Sequence, residues 1–266
     1  MNLNVVIRGG GDLATGVAHR LFKSGMKVII TEVAEPLVIR RTVAFASAVY
    51  EGEFTVEGVT AKFQKTEPVF TNEFIPVIVD PECSVWHRLK PDVIVDAIMA
   101  KTNKGTYKYM APVVIALGPG FNAGTDVHRV IETQRGHYLG KIIEEGFAEN
   151  DTGIPGEIGG CSSQRVIRAP ECGIFTSEKQ IGYTVKEGDI LGKIKDVEVK
   201  TGLSGVIRGL IKDGTYVEKN LKIGDIDPRG KKEFICNISD KARALGGSVL
   251  EAIMNCYSDR IIFFEK

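Results

Sequence analysis

The sequence predicts an α/β fold: an N-terminal Rossmann-like, mostly parallel sheet, then a β-rich barrel-sandwich region and a C-terminal helix. Three observations carry this reading. A strand, a glycine turn, a helix and a second strand follow one another over residues 4–32. Further apolar runs recur at 76–80, 92–96 and 113–118. Beyond residue 151 the runs shorten, and two stretches look like copies of each other.

Residues 4–8 (Asn-Val-Val-Ile-Arg) read as a strand buried on both faces of a parallel sheet. After Gly9-Gly10-Gly11, residues Leu13, Val17 and Leu21 recur at helical spacing beside Ala14 and Ala18, so a helix starts near Asp12 and stops at Ser24-Gly25. A second strand over 27–31 closes on Glu32, completing a right-handed βαβ unit. The runs at 76–80 and 92–96 end in an acid, with a helix expected over 83–89 between them. The run at 113–118 leads into Gly118-Pro119-Gly120. Residues 53–63 are hairpin-like and interrupt the α/β pattern. At 151–160 glycine, proline and acids replace apolar periodicity, which places a junction between a nucleotide-binding domain (1–150) and a β-rich domain (151–266).

In the second half, Ala169-Pro170-x-x-Gly173-Ile174-Phe175 followed by Val185–Ile194 resembles Leu203-Ser204-Gly205-Val206-Ile207 followed by Gly214–Ile223. The pairing is similar to the two halves of a lipoyl/biotinyl-type barrel sandwich. The hairpin at 196–201 lacks the Met-Lys-Met or Asp-Lys-Ala setting of a modified lysine, so the barrel is expected to be unmodified. Over 239–255, Ala242, Leu245, Val249, Leu250 and Ile253 share one helical face, with Ser239 as N-cap.

The 34 basic and 34 acidic residues cancel and are dispersed, which argues against nucleic acid as a partner, since phosphate backbones need clustered cations. No apolar run is long enough for a bilayer, and the N-terminus has no basic segment followed by an apolar one; a cytoplasmic protein without a membrane partner is expected. Five cysteines, at 83, 161, 172, 236 and 256, form no C-x-x-C pair. They read as small buried hydrophobes, Cys236 above all, and not as a zinc or disulfide framework.

Gly9, Gly11 and Ala14 satisfy G-x-G-x-x-(G/A) between a strand and a helix. The Gly9-Gly10-Gly11 amides are expected to meet a phosphate at the positive end of the helix dipole. Glu32, 21 residues after Gly11, is placed to accept ribose hydroxyls. Asp12 would repel that phosphate unless paired, and is expected to cap its own helix. Asp96 and Lys101 follow a central strand, where ligands bind in open sheets, and Lys101 is a candidate acid/base. Gly118 and Gly120 open the densest polar cluster, which also holds Asp126, His128, Arg135 and His137. If 126–132 is a strand, Asp126, His128 and Glu132 share a face, and His128 is a candidate base oriented by Asp126. The spacing matches no established metal set, so no metal is expected.

Several strings together resemble the YqeB-type accessory proteins of the selenium-dependent molybdenum hydroxylase system. They include residues 6–16, Arg40-Arg41-Thr42-Val43, Gly118-Pro119-Gly120-Phe121, Glu132-Thr133-x-Arg135-Gly136-His137, Leu221-Lys222-Ile223-Gly224-Asp225 and Ser239-Asp240-Lys241-Ala242-Arg243. The resemblance spans nearly the whole chain and implies maturation of a molybdenum hydroxylase client. It carries no catalytic residues over. The implied ligand is nucleotide-like, either NAD(P) or a molybdopterin dinucleotide, with Cys161 holding no assigned role. Two other functions fit the same residues: an NAD(P)-dependent oxidoreductase using His128 or Lys101, and a non-catalytic scaffold with a vestigial site.

Overall fold

The structure is a computed structural model that describes residues 2–258. The first part of the chain forms β1 (Asn4–Arg8), α1 (Asp12–Lys23), β2 (Lys27–Glu32), the four-residue α2 (Ala48–Glu51), β3 (Glu53–Val56), β4 (Val59–Phe63) and β5 (Ile75–Val79). It continues through the four-residue α3 (Trp86–Leu89), β6 (Val93–Asp96), β7 (Val113–Leu117), β8 (Asn122–Ala123), β9 (Arg129–Ile131), β10 (Ile142–Ile143) and β11 (Gly146–Phe147). One nine-stranded sheet takes the order β10-β9-β7-β6-β1-β2-β5-β4-β3, and β8 pairs separately with β11.

The expected Rossmann-like sheet is corrected here. The sheet is mixed: β10 runs antiparallel to β9 at one edge and β3 antiparallel to β4 at the other. A doubly wound fold needs a helix for each parallel crossover, and only α1 is one of more than four residues. The hairpin at 53–63 became the β3–β4 edge, while the link from β6 to β7 runs through Lys101-Thr102-Asn103-Lys104-Gly105, a poor helix former. The sheet's two faces are therefore covered differently. One carries α1 and a helix from the far end of the chain; the other is closed by irregular segments through Phe70, Trp86, Met110 and Phe121.

The remaining chain supplies β12 (Val166–Arg168), β13 (Gly173–Thr176), β14 (Thr184–Val185), β15 (Ile190–Ile194), β16 (Val197–Lys200), β17 (Gly205–Leu210), β18 (Tyr216–Val217), β19 (Lys222–Asp227) and α4 (Asp240–Cys256). These strands build two antiparallel sheets, β12-β19-β17-β14 and β16-β15-β13-β18, around Phe175, Leu191, Ile207 and Ile226. The expected lipoyl/biotinyl-like barrel sandwich is corrected: the part is built of these antiparallel sheets, one of which takes in β12 from before the repeat. That sheet is also tied to the N-terminal part: the Leu210 amide donates to the Ile39 carbonyl at 2.8 Å, and Arg41 Nε to the Leu210 carbonyl at 2.8 Å.

Other expectations shift as well. The helix over 83–89 shortens to α3, and the strand over 126–132 to β9. Cys236 is exposed, because the apolar run around it forms a short 3₁₀ turn rather than a core strand. Ser239 does cap α4, its Oγ accepting from the Ala242 amide at 3.2 Å.

The apolar stripe of α4 (Ala242, Leu245, Val249, Ile253) is buried against α1 and the sheet. Contact between the two helices is backbone to backbone. A Cβ on Gly16 would lie 2.6 Å from the Ala242 carbonyl oxygen, and one on Gly246 would lie 2.7 Å from that of Gly16. Close-packed interiors do not absorb such overlap. Gly16→Val should therefore cost about 3 kcal/mol, read as a lower urea midpoint; an unchanged midpoint would show that the helices do not meet there.

Candidate functional site

Two clefts join where α1 begins. The first, about 490 Å³, lies at the carboxyl ends of β1, β2 and β6 and is walled by Leu13, Val33, Leu37, Val38, Ile98 and Met99, with Glu32 and Arg40 among its polar groups. The second, about 560 Å³, opens between the large sheet and the β-rich part and is lined by Lys101, Arg135, Arg165, Arg208, Lys222 and Lys241. Segment 151–158 closes it, while Asp12, Leu13 and Met99 belong to both clefts. Parallel strands ending at a helix N-terminus bring irregular loops, and hence side chains, to this edge.

The glycine turn is filled by its own chain. The Gly10 amide donates to Glu32 Oε1 at 2.8 Å, and Glu32 Oε2 accepts from Val33 at 2.7 Å. The Gly10 carbonyl accepts from the Ala46 amide at 2.9 Å, and a Cβ on Gly10 would lie 2.9 Å from that same nitrogen. Burial raises the Glu32 pKa against the two amides that hold its charge. Glu32 is thus engaged in closing the turn. Gly9, Gly11 and Ala14 line the first cleft.

No side chain caps α1, whose N-cap is Gly11. The first-turn amides have no intrahelical partner and face the clefts with a partial positive charge. Asp12, expected to cap this helix, is instead its first residue and pairs with buried Arg40 at 3.3 Å. Arg40 also donates to the carbonyls of Phe234 and Asn237, which seats the segment before α4 over the start of α1.

Other predicted residues serve the framework. Asp96 is buried, accepting from Thr106 Oγ1 at 2.6 Å and from the Ile98 amide at 3.1 Å beside Arg8; burial raises its pKa. Lys101 lines the second cleft but is ion-paired with Asp151 at 2.5 Å. A Cβ on Gly120 would lie 2.7 Å from the Lys101 carbonyl, and one on Gly118 2.6 Å from Thr133 Oγ1, so both glycines pack the loops behind the cleft. Asp126 accepts from the Asn122 amide at 2.8 Å, and His128 Nδ1 faces the Val114 amide at 3.0 Å. These two and His137 line neither cleft, which separates His128 from the site. The described residues hold no group of three or more His, Cys, Asp or Glu placed to share a metal ion. Cys83 is buried and its thiol pushed up to about 12, which leaves it inert as a nucleophile.

Charges in the second cleft are unevenly matched. Arg135 makes a two-pronged bond to Asp240 at 2.8 and 2.7 Å, and the Asp240 carboxyl is held well below the usual range by that contact. Buried Asp225 takes both Arg165 and Arg208, the latter at 2.8 Å. Lys222 and Lys241 have no hydrogen bond or ion pair among the described residues, and burial lowers the pKa of each. Arg40, Met99, Arg165, Arg208, Lys222 and Lys241 were not singled out from the sequence as site residues. Arg40, Lys222 and Lys241 nevertheless sit in the polar strings quoted for the resemblance.

The fold and clefts define an α/β protein with a cleft rich in basic side chains between its large sheet and its β-rich part. The chain is similar to the "Uncharacterized protein YqeB" of Escherichia coli (strain K12), at 56% identity over 254 residues, 94% of this chain and 47% of the relative. It therefore spans about half the length of the curated relative it matches. That likeness supports the YqeB-type resemblance, and the name assigns no activity. No family model matches.

Among solved structures, the chain is similar to an aspartoacylase family protein of Mesorhizobium loti MAFF303099 (13% identity, 85% of each chain, TM-score 0.28). It is similar also to a succinylglutamate desuccinylase of Silicibacter sp. TM1040 (11% identity, 85% of each chain, TM-score 0.26). At such TM-scores the likeness carries no argument. The expected function, with a dinucleotide held at the glycine turn, is corrected: the Glu32 carboxylate occupies that turn. Neither the oxidoreductase nor the vestigial-scaffold reading is favoured in its place.

Because Asp225 is the shared partner of two arginines, Asp225→Asn should cost about 3–5 kcal/mol by leaving buried charge unmatched. Asp240→Asn, at a mostly exposed pair, should cost under about 1 kcal/mol. Thermal unfolding of both variants checks this; equal losses would contradict the burial argument.

Proposed function

We propose that the chain binds a small anionic molecule with an apolar body, the anionic group in the second cleft and the apolar part in the first. The observation that carries the reading is the pair of lysines without partners, Lys222 and Lys241, in the cleft that the uncapped start of α1 also lines. Taking ammonium groups out of water is costly unless an opposite charge meets them. The other cations of the cleft are bonded to Asp151, Asp225 or Asp240, and Asp12 is taken by Arg40, so these two are the lining cations without a bonded carboxylate, with Glu149 the one further acid in the lining. A phosphate monoester or a carboxylate would balance it and take hydrogen bonds from the open amides of α1. Leu13 and Met99, shared by both clefts, would lie against the apolar part.

Titration calorimetry with phenyl phosphate tests the reading, with phenol as the uncharged control. Binding is expected for the ester alone. Lys222→Gln or Lys241→Gln should each weaken it about tenfold, which is about 1.4 kcal/mol. Failure of phenyl phosphate to bind, or affinity in both variants unchanged from that of the unaltered chain, would overturn the proposal. Deprotonation removes the attracting charge, so affinity should fall as pH rises. Because burial lowers both lysine pKa values, the fall should begin below the ordinary lysine value of about 10.4.

A further inference from the structure

We infer that Lys222 is a nucleophilic amine that condenses with the carbonyl group of an anionic aldehyde or ketone bound in the second cleft. This rests on the anion-binding reading above and assigns the cleft covalent chemistry. Lysine becomes a nucleophile when its ammonium form is disfavoured by desolvation or by a neighbouring cation. Both conditions meet at the start of β19. The side chain lines the cleft without a hydrogen bond or ion pair among the described residues, so no carboxylate is bonded to its amine. Arg165 and Arg208 line the same cleft and are both bonded to Asp225, so two cations already share that buried carboxylate. Burial lowers the Lys222 pKa first; Arg165 and Arg208 push it the same way, while Asp225 and Asp12 act against them.

Lys101 and Arg135 line the cleft too, but each is engaged by a carboxylate. Lys241 is the remaining amine without a partner. It is the second residue of α4, next to exposed Asp240, and its part is to hold the anionic group while Lys222 reacts. In the step itself, the ammonium proton of Lys222 leaves to solvent and the Nζ lone pair attacks the carbonyl carbon. A C–N bond forms. The two hydrogens of the neutral amine and the carbonyl oxygen depart as water, leaving C=N; no electrons are gained or lost. Asp12, between the two clefts, is the carboxylate placed to relay protons during that loss of water.

The probe is pyridoxal 5′-phosphate, which carries an aldehyde, a flat ring and a phosphate. The full chain is incubated with one equivalent, reduced with cyanoborohydride and digested for mass spectrometry. One adduct per chain is expected on the peptide holding Lys222, formed at least tenfold faster than with pyridoxal and suppressed by phenyl phosphate. Lys222→Arg should abolish it. Adducts concentrated on Lys241, or scattered over surface lysines, would overturn the inference. If phenyl phosphate binds and no Lys222 adduct forms, the amine chemistry fails while the anion site stands. Should phenyl phosphate not bind at all, both readings fall together.

Discussion

The approach of α1 to α4 without intervening side chains is the constraint on which the rest of the molecule depends. Gly16 and Gly246 let the two backbones touch, and this contact brings a helix from the last part of the chain onto the first βαβ unit. Both helices then start at the same edge of the sheet, so Asp12 and Lys241 come to line one cleft. Arg40 secures the arrangement from the side by bonding Asp12 and the carbonyls just before α4. The β-rich part is held over the same region by the bonds of Leu210 to Ile39 and Arg41.

That placement explains how a chain with no net charge carries a locally cationic cleft. Charge is balanced over the whole surface, but segregated at the junction of the two parts. Carboxylates there hold arginines in fixed directions. Asp225 is buried beneath two of them, a costly arrangement that orients guanidinium groups as well as neutralising them. Buried Glu132 does a similar task for the backbone, accepting from the amides of Gln134 and Glu149 and so fixing two loops of the cleft wall. The lysines that remain are the flexible, unmatched charges.

The opening βαβ segment was legible because apolar runs and glycine punctuation are local signals: β1, α1 and β2 fall where Val5, Leu13, Val17 and Val28 place them. The sheet as a whole was not, since edge pairings such as β9 with β10 depend on distant contacts that periodicity does not encode. At the site, the G-x-G-x-x-A spacing points to the edge of the sheet where the first cleft opens, and there Glu32 bonds the Gly10 amide. Whether Glu32 reaches outward to a ligand or back to Gly10 is a matter of a side-chain rotation. Lys222 and Lys241 belong to β19 and α4, and only the fold sets them beside Asp12. His128 failed for the opposite reason: rich in polar neighbours along the sequence, it is drawn into the edge of β7.

The late position of α4 also bears on how the molecule is made. Its apolar stripe covers a sheet face whose strands all precede residue 144, with the whole β-rich segment coming in between. During synthesis the growing polypeptide must therefore carry an uncovered face of Val and Ile side chains for more than a third of its length. Such long-range closure slows folding and exposes nascent chains to association. That face stays open to association until α4 emerges to cover it.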